Sequence, residues 1–179
     1  MNLFFKIAAW LFHPLLMPLL GVLLYFFVTP RFIIPELVYS KLIVVFILTF
    51  LIPLLLIFLL KNTRIINSVH LNKVMERKYP LMVQCLLFVL IIRVVFNPNQ
   101  YPELYFFFVA VLISTITAFM LVLFKFKVSL HTLGVSGVTM FLIALSIHFK
   151  INVLMIIAFL LFANGWVASS RIATKSHSS

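Results

Sequence analysis

The chain contains no Asp, and its only carboxylates are Glu36, Glu76 and Glu103. Two-metal hydrolysis and paired-carboxylate chemistry therefore lack their ligands and acids. Cys85 is the single cysteine and lies inside an apolar run, which excludes a disulfide framework and a thiolate metal site. Charged residues make up 9% of the 179 residues, against roughly 25% in an ordinary soluble domain. Water is not the main solvent of this protein.

What the chain has is hydrocarbon: 65% of residues are hydrophobic and 21 are Phe. They fall in long blocks, the pattern of helices that face lipid. Within a bilayer every backbone polar group must be bonded inside its own segment, so such blocks form helices. The alternating ten-residue segments of a membrane barrel are absent. The predicted fold is an all-α, polytopic transmembrane bundle of about six helices, a single membrane domain over residues 1–179. Spans are expected at about 3–28, 37–60, 80–96, 104–124, 130–148 and 151–168. The first is too long for a signal-peptide core and reads as a retained span. His13, Pro14 and Pro18 interrupt it and predict a kink, with His13 in a structural role. The first two spans are expected at the periphery of a core formed by residues 61–179.

The net charge is +11. No soluble stretch is long enough to form a nucleic-acid module, so the basic residues read as helix-end anchors and topology signals. Counting six spans puts Arg31, Lys41, Arg93 and Lys150 on one face and the other ten of the 14 basic residues on the opposite face. The positive-inside rule makes the basic face cytoplasmic, but residues placed there for chemistry would inflate the count, so orientation stays open.

Three polar clusters are expected on that basic face. They are Lys73 to Pro80, with Arg77 inside it, Lys127 to Gly137, and Ser170 to His177. Taken singly, each has an ordinary reading: an interfacial anchor, a close-packed helix start with Gly134 and Gly137 as packing positions, and a solvated tail. Together they are the parts of a phosphate site. Lys73, Arg77 and Arg171 supply positive charge, and the Arg fork matches phosphoryl oxygens. Ser129 stands where a helix N-cap would, and the free N–H groups beyond it favour an anion. His131 and His177 can divide nucleophilic attack and leaving-group protonation. The scheme needs no metal and no cofactor.

These residues resemble the type 2 phosphatidic acid phosphatase superfamily. Its third motif, Ser-Arg, five residues, His, is matched by Ser170-Arg171 and His177. Its second, Pro-Ser-Gly-His, reads Val128-Ser129-Leu130-His131, and its first is degenerate around Lys73, Arg77 and Pro80. The resemblance covers about residues 61–179. It implies a metal-independent phosphatase in which His177 is the nucleophile that forms a phosphohistidine and His131 the general acid. Lys73, Arg77, Ser129 and Arg171 would bind phosphate. It further implies membrane lipids as partners, a lipid phosphate or diphosphate as substrate, and a bacterial inner membrane as location. Leu130 replaces the Gly that lets backbone approach phosphate closely. The family also places an Asp and a further helix beyond His177, so a continuation past Ser179 is expected. The alternatives are a phosphatase-like lipid binder or membrane-complex subunit without turnover, and a small transporter, for which only His13 lies at a suitable depth.

Overall fold

The computed structural model describes residues 7, 10–66, 74–126 and 128–173. Among the described residues the protein is all-helical, with six helices. These are α1 (Met17–Val28), α2 (Pro35–Asn62), α3 (Val74–Val95), α4 (Pro102–Leu123), α5 (Leu130–Phe149) and α6 (Leu154–Ala173). The last five are long and apolar enough to cross a membrane. Only 22–39% of the central stretch of each is buried within the protein, so most of their apolar surface faces outward, as lipid-facing helices require.

The first apolar block departs from the expected 3–28 span. Its long helix, α1, has 12 residues, about 18 Å at 1.5 Å per residue, short of the roughly 30 Å hydrocarbon core. The prolines break the block instead of kinking it. Residues 12–16 form a turn, with the Leu16 N–H donating to the His13 carbonyl at 2.9 Å, and α1 restarts with Pro18 in its first turn, where no backbone donor is needed. Two other boundaries also moved. α3 begins at Val74 with a 3₁₀ turn, and Pro80 falls in the first turn of the α-helical segment that follows from Lys78, where Pro is tolerated. α6 continues to Ala173, which carries Ser170 and Arg171 on the helix rather than in a tail.

The chain divides into two compact units, residues 1–42 with 129–179, and residues 43–128. In the first, α1, α5 and α6 enclose a core of Phe12, Met17, Val135, Val138, Leu142, Leu160, Ala163 and Val167. α5 and α6 are antiparallel, joined through Lys150, and the Ser146 hydroxyl closes the link by donating to the Ile151 carbonyl at 2.7 Å. α1 runs parallel to α5: Met17 meets α5 near its start, and the Tyr25 and Phe149 rings lie 6.5 Å apart at the other end.

In the second unit, α3 and α4 pair around Phe88, Phe96 and Phe108, with the last two rings stacked at 5.4 Å. α2 widens into a π-helical turn at Ile47–Leu51. Pro53 explains it, since its ring has no N–H for the Thr49 carbonyl and clashes with that carbonyl in a regular helix.

Three helices are followed by a basic residue in the left-handed conformation: Arg64 after α2, Lys125 after α4 and Lys150 after α5. The chain has four glycines and uses none at these stops. A non-Gly residue there costs roughly 1–2 kcal/mol. The positive charge at a helix C-terminus offsets about 0.3–1 kcal/mol of that.

Candidate functional site

The polar residues of the first unit gather where α5 begins and α6 ends. Ser129 has extended backbone and caps α5, its Oγ accepting from the Thr132 N–H at 3.4 Å and lying 2.9 Å from the Thr132 hydroxyl. A β-region Ser before a helix satisfies one of the orphan N–H groups of the first turn. The next residues, Leu130 and His131, open that turn.

Arg171 reaches the same level through the α5–α6 register. Midway along both helices the Asn164 Nδ2 donates to the Thr139 hydroxyl at 2.7 Å. Thr132 is seven residues before Thr139, and Arg171 seven after Asn164. In an antiparallel pair with equal rise this sets Arg171 level with Thr132, about 10 Å from the Asn–Thr bond. Ser170, its neighbour, is fully buried.

His13 completes the cluster. Its ring lies 5.6 Å from that of His131, edge to face at 82°. Phe12 anchors the turn from below, buried in the core and edge to face with Trp166, 6.3 Å between ring centroids. Gly134, one turn past His131, makes the approach possible: a Cβ there would stand 2.7 Å from Met17 Cγ and 3.8 Å from Pro14 Cα. Its close-packing role is the ordinary reading made concrete. The turn carrying His13 lies outside α1, and burial lowers the pKa of its imidazole.

The structure thus sets Ser129 and His131 on one turn, Arg171 level with it, and His13 against it. Arg77 belongs to the second unit, where its Nη1 donates to the Val128 carbonyl at 3.1 Å and ties the start of α3 to the strand of chain leaving α4. Lys73 and His177 lie outside the described residues. Among the described residues no three His, Cys, Asp or Glu side chains form a metal-holding group. The sequence alone gives His13 a structural role at the proline break. The signal that singles it out is a Pro-flanked His paired with a Gly on a later helix, visible only once α1 and α5 are known to pack.

The helices and their outward apolar faces define a multi-pass helical membrane protein. No protein-family model, curated protein or solved structure matches the chain.

Proposed function

We propose that this protein is a membrane phosphatase acting on a lipid phosphate or diphosphate, whose head group enters at the α5–α6 end of the first unit. The observation that supports this reading is the grouping of a capped helix N-terminus, an imidazole on its first turn and an Arg at the same level. The α5 amides and the Arg171 fork suit phosphoryl oxygens. His131 would protonate a leaving alkoxide, and His177 would attack phosphorus, as in the family the motifs resemble. Glu36 is the only carboxylate in residues 1–42 and 129–179, and it follows the far end of α1, so no acid of this unit competes with the anion.

The direct test is phosphate release from short-chain lipid phosphates by the purified protein. Wild type should turn over, and His131→Ala and His177→Ala should each lose at least about a hundredfold, the usual contribution of a positioned acid or base. Equal release by all three proteins overturns the proposal.

A further inference from the structure

Resting on that reading, we infer that His13 is a second ligand-binding imidazole of the site, donating its Nε2–H to a phosphoryl oxygen of the phosphomonoester held beside Ser129, His131 and Arg171.

Three features build the position. The chain breaks its first apolar block at 12–16, so His13 is presented from a turn and not from a helix face. That turn is clamped twice: Phe12 is sunk in the core against Val135, Val138 and Val167, and Met17 fits over the bare Cα of Gly134. The clamp leaves the two imidazoles edge to face, 5.6 Å between centroids, close enough to flank one group of phosphate size.

The ring is also oriented. Its Nδ1 accepts the Leu15 N–H at 3.4 Å, which leaves the proton of the neutral ring on Nε2. Among the described residues Nε2 has no hydrogen-bond partner. His13 is half-buried and its Nε2 is not among the buried atoms left without a partner, so this donor stays open to a ligand, which a Leu or Phe in the same place would not offer.

The test uses the full chain in detergent micelles and two probes, inorganic phosphate and a short-chain phosphatidic acid, with affinities measured by calorimetry. His13→Leu should weaken both probes by about 10-fold or more, the usual worth of a hydrogen bond to a charged group. His13→Gln, whose amide nitrogen can stand near the position of Nε2, should bind within about threefold of wild type by the same reasoning. In wild type carrying ¹⁵N-labelled histidine, the His13 Nε2 resonance, assigned by its loss in His13→Gln, should move on titration with phosphate. That measurement holds even where His13→Leu fails to fold.

The outcomes separate. Wild type that binds neither probe overturns the phosphate reading of the site and this inference with it. Wild-type binding matched by His13→Leu, or a stationary Nε2 resonance, overturns the inference alone. Equal loss in the Leu and Gln variants makes His13 a shape element and not a donor. Loss confined to the lipid probe moves the contact to the glycerol or acyl part, against the phosphoryl assignment.

Discussion

Asn164 on α6 donates to the hydroxyl of Thr139 on α5 at 2.7 Å, at the midpoint of both spans. The same amide nitrogen donates to the Leu160 carbonyl at 2.8 Å, while the Thr139 hydroxyl donates to the Val135 carbonyl at 2.8 Å. A continuous chain of bonds thus links two helix backbones at mid-span, where hydrocarbon offers no replacement partner. It pins the register that brings Arg171 level with the first turn of α5.

Removing this pin should loosen the pair. Interhelical hydrogen bonds in membranes are worth about 0.6 kcal/mol on average and up to about 1.7. A double-mutant cycle of Thr139→Val and Asn164→Leu, read by unfolding in mixed micelles, should give a coupling energy in that range. Strictly additive losses would mean that the bond carries no register energy.

Gly134→Ala should destabilise the first unit, because the added Cβ meets Met17 Cγ at 2.7 Å in a side chain that is itself buried. Overpacking of this kind typically costs about 1–3 kcal/mol. Met17→Ala in the same chain should return part of the loss, which the unfolding midpoints of the two single variants and the double variant would reveal.

Ser129 separates capping from anion binding. Ser129→Ala removes the bond to the Thr132 amide and should cost about 1 kcal/mol of stability. Ser129→Asp keeps a capping oxygen and should melt like wild type, yet its charge should abolish phosphate binding at the same spot. Thermal unfolding and phosphate calorimetry on the two variants check both halves.

Lys150→Gly should stabilise the α5–α6 link. Lys150 has φ 54° and ψ 39°, a conformation that Gly adopts freely. The expected gain is about 0.5–1 kcal/mol, what remains of the left-handed penalty after loss of the charge at the helix end. An unfolding midpoint at or below that of wild type would refute it.

The transmembrane helices were legible because hydrocarbon allows little else. A block such as residues 104–124 has no partner for its amides except itself, and α4 lies within two residues of the expected span. Boundaries set by proline were harder. Pro80 looked like a span's start but sits inside α3's first turns, and Pro14 and Pro18 divide a block whose composition is uniformly apolar. Of the candidate site, Ser129 and His131 could be read directly, since a Ser at the edge of an apolar block is a helix cap by local chemistry. His13 could not, because its meaning depends on a helix more than 100 residues away in the chain.

By itself, then, the sequence determined the solvent and the helical class. These follow from composition and from backbone groups that must be bonded within their own segment. Only the tertiary structure decided which helices share a unit, the α5–α6 register and the meeting of His13 with His131. Those depend on a missing Cβ at Gly134 and on one amide–hydroxyl bond between Asn164 and Thr139. Neither leaves a periodic trace along the chain.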